Sequence, residues 1–119
     1  MTGGAAAGRL CTLASIEDEE ARGFTLGSGT NRLELLIYRR GGAVFGYVNC
    51  CPHAGTPLEM EPDRFMTADG SLLLCHTHGA LFEPTSGLCV AGPCRGKRLP
   101  PLDLVIEPDG WVRLTEPFP

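Results

Sequence analysis

Long apolar runs and nucleotide-binding glycine motifs are missing from this sequence. No stretch approaches the roughly 18 consecutive apolar residues that a membrane-spanning helix needs, so we expect no membrane association. The opening MTGGAAAGRL lacks the apolar core of a secretory signal, which predicts a soluble, cytoplasmic protein. No GxGxxG pattern follows a predicted strand, which argues against a bound nicotinamide or flavin.

Clustered positive charge is also scarce. The chain has 10 Lys and Arg residues against 14 Asp and Glu residues, and its formal net charge is −4. The basic residues are scattered apart from the short group Arg95, Lys97 and Arg98, so we expect no nucleic acid partner. The length of 119 residues predicts a single domain over 1–119, and we expect the Gly/Ala-rich residues 1–8 to be disordered.

Helical periodicity is almost absent, and short apolar runs between Gly, Pro and Asp predict an all-β fold. Only residues 15–21 suggest a helical turn, with Ser15 as its N-cap. Gly41-Gly42 and Pro108-Asp109-Gly110 are typical of hairpin turns. The predicted strands are 9–13, 22–26, 33–39, 43–49, 71–75, 80–83, 102–106 and 111–115.

The middle of the chain carries the residues capable of metal chemistry. Residues 50–97 hold five of the six cysteines and all three histidines. Two stretches stand out, CCPHAGTPL from residue 50 and LLCHTHGALF from residue 73, and their Pro and Gly residues predict loops. Because no export signal is present, metal ligation explains at least two of these cysteines better than a disulfide scaffold does.

The ligand spacing is Cys51-x-His53 followed by Cys75-x-x-His78. A structural zinc ion is one possibility, since two cysteines and two histidines complete a tetrahedral site. A two-iron cluster is the other, and it explains why each loop supplies one residue of each kind: both loops then grip both metals. Cys50 could replace Cys51 by forming a C-x-x-H pair with His53. Plant-type ferredoxin spacing is not complete, because nothing follows Cys89 and Cys94 at the required position.

The stretches CPHAGTPL, CHTHGALF and GLCVAGPCRG resemble the two cluster-binding loops and the covering loop of Rieske [2Fe–2S] proteins, especially the ferredoxin-like branch. The resemblance spans residues 43 to about 115. It implies one [2Fe–2S] cluster per chain, with one iron bound by Cys51 and Cys75 and the other by His53 and His78. It also implies stacked antiparallel sheets, with a cluster-binding subdomain at about 48–97 formed by the two Cys/His loops.

The covering loop and four other positions refine that expectation. The resemblance places Gly92-Pro93 over the cluster. Membrane-anchored relatives have a disulfide where this chain has Thr56 and Thr77, and they have Ser and Tyr hydroxyl donors where it has Ala80 and Phe82. Fewer donors predict a lower midpoint potential, because hydrogen bonds to sulfur stabilise the reduced state.

The resemblance implies a one-electron carrier, not an enzyme, that passes electrons from a flavin-dependent reductase to a terminal oxygenase or other acceptor. Two alternatives remain: a Rieske-like small subunit of a larger reductase such as nitrite reductase, and a structural zinc-binding interaction module. A whole oxygenase is excluded, because its mononuclear iron needs two further histidines and only His76 is left. Cys89 and Cys94 are interpreted as free or packing thiols, with a disulfide between them still possible.

Overall fold

The structure, a computed structural model, describes residues 9–27, 29, 32–52, 57–59, 61–77 and 79–115. The expected disorder of residues 1–8 therefore lies outside the described residues. No helix in the described ranges is long and apolar enough to cross a membrane. The elements are a 3₁₀ helix at Leu13–Ser15 and the strands β1 (Arg9–Thr12), β2 (Ala21–Leu26), β3 (Leu33–Arg40), β4 (Ala43–Val48), β5 (Leu73–Leu74), β6 (Leu81–Phe82), β7 (Cys89–Ala91), β8 (Pro101–Leu102), β9 (Leu104–Ile106) and β10 (Trp111–Leu114).

Three antiparallel sheets make up this part of the chain. Their strand orders are β1-β10-β9, β2-β3-β4-β8 and β5-β6-β7. The four-stranded sheet contributes to two apolar cores, one shared with the β1-β10-β9 sheet and one shared with the β5-β6-β7 sheet. The expectation of an all-β fold with stacked antiparallel sheets is confirmed.

Strand β3 is buried on both of its faces. Leu35 and Ile37 belong to the core that includes Val112, whereas Leu36 and Tyr38 belong to the other core. These four side chains have no exposed surface. Side chains alternate between the two faces of a strand, so a strand buried on both faces reads as an unbroken apolar run. Burial on both faces therefore explains the apolar run LLIY at residues 35–38.

The two predicted hairpin turns are confirmed. Arg40 pairs with Ala43 across the β3–β4 turn, where Gly41 has φ +59°. Gly110 has φ +93° in the β9–β10 turn, and its N–H donates to the Glu107 carbonyl over 2.8 Å. Glycine suits both positions because it adopts positive φ without the steric cost of a Cβ.

The predicted helical turn at 15–21 is wrong. The chain instead forms a 3₁₀ helix over Leu13–Ser15, and Ala21 already begins β2. The Ser15 hydroxyl donates backwards to the Thr12 carbonyl over 2.7 Å, so it does not act as an N-cap. Glu19 has φ +61°, a left-handed conformation that interrupts a right-handed helix.

Two strand predictions also need correction. The predicted strand 102–106 divides between two sheets, because Pro101–Leu102 pairs with β4 whereas Leu104–Ile106 pairs with β10. The short strand Cys89–Ala91 was not predicted, and it pairs with β6. It escapes detection because three residues followed by Gly-Pro give too short an apolar run to be recognised.

Gly87 allows the turn between β6 and β7 to pack closely on Tyr47. The Tyr47 hydroxyl donates to the Pro84 carbonyl over 2.7 Å, and burial raises the pKa of this phenol to about 12. A Cβ at Gly87 would lie 2.7 Å from Cε1 of the Tyr47 ring. Gly87 has φ +74° and Gly70 has φ +75°, but a Cβ at Gly70 would meet no atom within 4 Å.

We expect Gly87→Ala to destabilise the protein more than Gly70→Ala. Both variants force alanine into a left-handed conformation, which costs about 1–2 kcal/mol, and only Gly87→Ala adds an overpacking cost of about 1–3 kcal/mol. Urea denaturation of the two variants measures the difference in the free energy of unfolding. Equal losses in the two variants would contradict the close contact between Gly87 and Tyr47.

Candidate metal centre

Two of the four predicted ligands come together in one core. Cys51 follows β4 and is 1% exposed, whereas Cys75 follows β5 and is fully buried. Both belong to the apolar cluster between the four-stranded sheet and the β5-β6-β7 sheet. The fold therefore brings two cysteines from separate loops into the same buried region.

Asn49 holds the first loop in place. Its side chain is the only buried polar one in the described residues, at 8% exposure. The Asn49 Oδ1 atom accepts a hydrogen bond from the Leu58 N–H over 2.9 Å, and Nδ2 donates to Glu59 over 2.8 Å. The Asn49 N–H donates to the Glu34 carbonyl on β3 over 2.9 Å. Asn49 thus ties both ends of the loop that contains Cys51 to the central sheet.

The second loop is a tight turn between β5 and β6. The Cys75 N–H donates to the Ala80 carbonyl, and the Gly79 N–H donates to the Cys75 carbonyl, each over 2.9 Å. The positive φ of Gly79, +75°, suits this turn. The His76 N–H donates to the Leu58 carbonyl over 2.9 Å. This backbone bond joins the two loops directly.

A third segment, residues 92–97, packs on the second loop. Gly92 has φ +101°, and a Cβ there would lie 2.8 Å from the Cα of Ala80. The Lys97 N–H donates to the Cys94 carbonyl over 2.9 Å, which closes the turn. Only glycine permits this approach, so Gly92 fixes the position of the segment against the loop that carries Cys75.

Cys94 reaches the first loop from that segment. Its Sγ atom lies 3.2 Å from the Cys89 Sγ atom, and both thiols are free. Burial, and after it the neighbouring Cys89 and Cys51 sulfurs, together raise the pKa of the Cys94 thiol to about 12. The interpretation of Cys89 and Cys94 as free, packing thiols is confirmed, but no sequence pattern predicts that Cys94 lies near Cys51.

The other candidate residues either lie outside the described residues or make contacts with the backbone. The predicted ligands His53 and His78 fall outside the described residues, as does Thr56. Cys50, the alternative to Cys51, is half-buried and directs its N–H to the Val48 carbonyl over 2.9 Å. The His76 ring lies 3.2 Å from the Arg64 carbonyl. In the described ranges, no group of three or more Cys, His, Asp or Glu side chains forms a metal site.

The described half of the site suits an iron–sulfur cluster. Two buried thiols on rigid turns can ligate one iron, and thiolates are the ligands that iron–sulfur clusters require. Ala80 and Phe82 lie fully buried in the same core and bring no hydroxyl group to it. This core therefore offers two buried thiols in a largely apolar setting.

Comparison with known proteins agrees with this geometry. A family model for the Rieske [2Fe–2S] domain matches residues 8–108. Among solved structures, a ferredoxin of Sphingomonas yanoikuyae B1 is 29% identical, with a TM-score of 0.67 over 92% of this chain and 97% of that chain. The ferredoxin of carbazole 1,9a-dioxygenase from Nocardioides aromaticivorans IC177 is 22% identical, with a TM-score of 0.65 over 89% and 93% of the two chains.

A curated relative from Haloferax mediterranei, a putative respiratory nitrate reductase subunit Rieske, is 31% identical over 72 residues. The match covers 60% of this chain but only 30% of the relative.

This chain belongs to the Rieske [2Fe–2S] domain family. Its cofactor is accordingly one [2Fe–2S] cluster, and its chemistry is one-electron transfer. Family membership decides against the alternative of a structural zinc module.

We expect Asn49→Ala to destabilise the site. The substitution leaves the Leu58 N–H without its acceptor, and an unsatisfied buried group costs about 1–3 kcal/mol. Thermal unfolding and the rate of cluster loss under a chelator measure the effect. Glu59→Gln keeps an acceptor for the Asn49 amide and serves as the control. Wild-type stability in Asn49→Ala would contradict the role of Asn49 as the tie between loop and sheet.

Proposed function

We propose that Cys51 and Cys75 bind one iron of the cluster and that His53 and His78 bind the other. The observation that carries this proposal is the burial of Cys51 and Cys75 in one core cluster, although they come from different loops. The greater burial of Cys51 than of Cys50 supports Cys51 as the first-loop ligand. We place the cluster-binding subdomain at about 48–97.

The chain then acts as a cytoplasmic carrier of single electrons, without a catalytic site of its own. Its electron donor is a flavin-dependent reductase and its acceptor is a terminal oxygenase. The similarity to ferredoxins supports this assignment, since one of them is a component of carbazole 1,9a-dioxygenase. A structure that contains both an oxygenase and a ferredoxin of that system, 18% identical with a TM-score of 0.68, also supports it.

A second candidate function is that of a Rieske subunit in a larger reductase. The curated relative named as a nitrate reductase subunit favours it. The two candidates differ in assembly, because a carrier dissociates from its partners between turnovers whereas a subunit stays bound. Size-exclusion chromatography of the native protein from its own cells distinguishes them: a carrier elutes separately from its redox partners, and a subunit elutes in a complex with them.

The residues of the chain support electron transfer through rigidity and burial. When bound, the cluster supplies the one-electron redox chemistry. The backbone bond between His76 and Leu58 holds the two loops at a fixed separation. Ala80 and Phe82 bring no hydroxyl group to the sulfur atoms, so the midpoint potential is lower than it would be with hydroxyl donors at these two positions.

We expect the purified protein to contain about two irons and about two acid-labile sulfides per chain. Its reduced form should give an EPR signal with an average g value below about 2, which mixed cysteine and histidine ligation produces. Alanine at Cys51, His53, Cys75 or His78 should abolish cluster assembly, because each change removes a bond to iron. The matched control Cys50→Ala should retain the cluster.

One equivalent of zinc without visible absorption would rule out the cluster. Loss of the cluster in Cys50→Ala, with retention in Cys51→Ala, would overturn the choice of first-loop ligand.

We expect a midpoint potential near the low end of the Rieske range, roughly −150 mV, and an increase in Ala80→Ser. The new hydroxyl can donate to cluster sulfur, whose negative charge grows on reduction. A hydrogen bond to a charged group contributes about 1.5–3 kcal/mol, which sets an upper limit of roughly 65–130 mV at about 59 mV per tenfold change. Spectroelectrochemical titration measures the shift.

Ala43→Ser serves as the control. It adds the same hydroxyl at the β3–β4 hairpin, which is the end of β4 that lies away from Cys51. Its potential should equal that of the wild type. An unchanged potential in Ala80→Ser with an intact cluster would show that missing hydroxyl donors do not set the potential.

A further inference from the structure

Three buried cysteine thiols lie in the core between the four-stranded sheet and the β5-β6-β7 sheet. Cys51 and Cys89 are each 1% exposed, and Cys94 is 2% exposed. Cys94 lies between the other two: its Sγ atom is 3.2 Å from that of Cys89, and the Cys51 sulfur of the same core cluster is close enough to raise the pKa of the Cys94 thiol. A thiol of the segment 92–97 thus lies beside a proposed iron ligand.

The backbone holds Cys94 in this position from both sides. Gly92 is pressed against Ala80 so closely that a Cβ would lie 2.8 Å from the Ala80 Cα. On the other side, the Gly96 N–H donates to the Cys89 carbonyl over 3.0 Å, and the Cys89 N–H donates to the Lys97 carbonyl over 2.8 Å. The Cys94 side chain therefore has little freedom to leave the core.

The donor and the acceptor can be assigned in the hydrogen bonds of these thiols. Cys89 donates its single S–H to the Ala91 carbonyl over 3.2 Å, so its sulfur can only accept from Cys94. Cys94 also has a single proton, and it can donate to the sulfur of Cys89 or to that of Cys51. An iron-bound thiolate carries more negative charge than a protonated thiol, and hydrogen bonds to charged acceptors are the stronger ones.

We propose that Cys94 donates its S–H to the iron-bound thiolate of Cys51 and thereby raises the midpoint potential of the cluster. This inference rests on the proposed ligand role of Cys51. Reduction increases the negative charge on the ligand sulfurs, so the hydrogen bond is stronger in the reduced state than in the oxidised state. Ala80 and Phe82 bring no side-chain donor to this core. Cys94, in the segment 92–97, supplies one instead.

The test compares the midpoint potentials of three variants with that of the wild-type holoprotein. Cys94→Ala removes the donor, and we expect the reduction equilibrium to fall roughly threefold to tenfold, a decrease of about 28–59 mV. Cys94→Ser keeps a donor and should give a potential equal to or above the wild-type value. Cys89→Ala removes only the competing acceptor, so its potential should not fall.

A second measurement does not depend on the stability of Cys94→Ala. In the infrared difference spectrum between oxidised and reduced wild-type protein, we expect an S–H stretching band to move to lower frequency on reduction. The band should persist in Cys89→Ala and disappear in Cys94→Ser. Absence of such a band in the wild type would overturn the proposal.

A Cys94→Ala variant with an intact cluster and an unchanged potential would also overturn the proposal, while the carrier function would stand. A wild-type protein without a [2Fe–2S] cluster would overturn both. Iron analysis of the wild type separates these two outcomes.

Discussion

Strand β3 is buried on both of its faces, and the packing of the sheets on either side follows from that burial. Leu35 and Ile37 fill one core, and Leu36 and Tyr38 fill the other. A strand in this position fixes the sheets on both sides relative to each other, because each core must close against the same backbone. The loops that contain Cys51 and Cys75 are anchored at the edge of one of these cores, so their positions follow from the packing around β3.

The site itself depends on backbone hydrogen bonds more than on side chains. His76 donates its N–H to Leu58, Cys75 donates its own to Ala80, and the Asn49 amide accepts that of Leu58. A rigid frame of this kind limits structural change between the two oxidation states, which suits electron transfer. Segments with backbone groups bonded in this way open less readily than free loops.

Much of the fold could be predicted from the sequence because its signals are local. Short apolar runs and glycine turns mark β2, β3, β4 and β10. The predictions of secondary structure were wrong where tertiary pairing outweighs local preference. Leu102 and Leu104 belong to one apolar run, yet they lie in different sheets because the chain crosses from one sheet to the other at Asp103. The acidic residues after Ser15 suggested a helix, but a left-handed Glu19 and the start of β2 prevent it.

The candidate site also has some features that the sequence predicts and others that it does not. The C-x-H and C-x-x-H spacings pointed to Cys51 and Cys75, because ligand spacing is a local property of the sequence. The tie formed by Asn49 and the contact of Cys94 with Cys51 are products of folding between distant segments, and no spacing indicates them.

X-ray absorption at the iron edge tests the proposal that one iron of the cluster has cysteine ligands and the other has histidine ligands, because nitrogen and sulfur neighbours give distinct scattering shells. We expect a sulfur shell, an imidazole nitrogen shell and an iron–iron vector, with the nitrogen shell lost from the His53→Cys, His78→Cys double variant if that variant assembles a cluster. A wild-type spectrum with sulfur neighbours alone, or with no iron–iron vector, would contradict it.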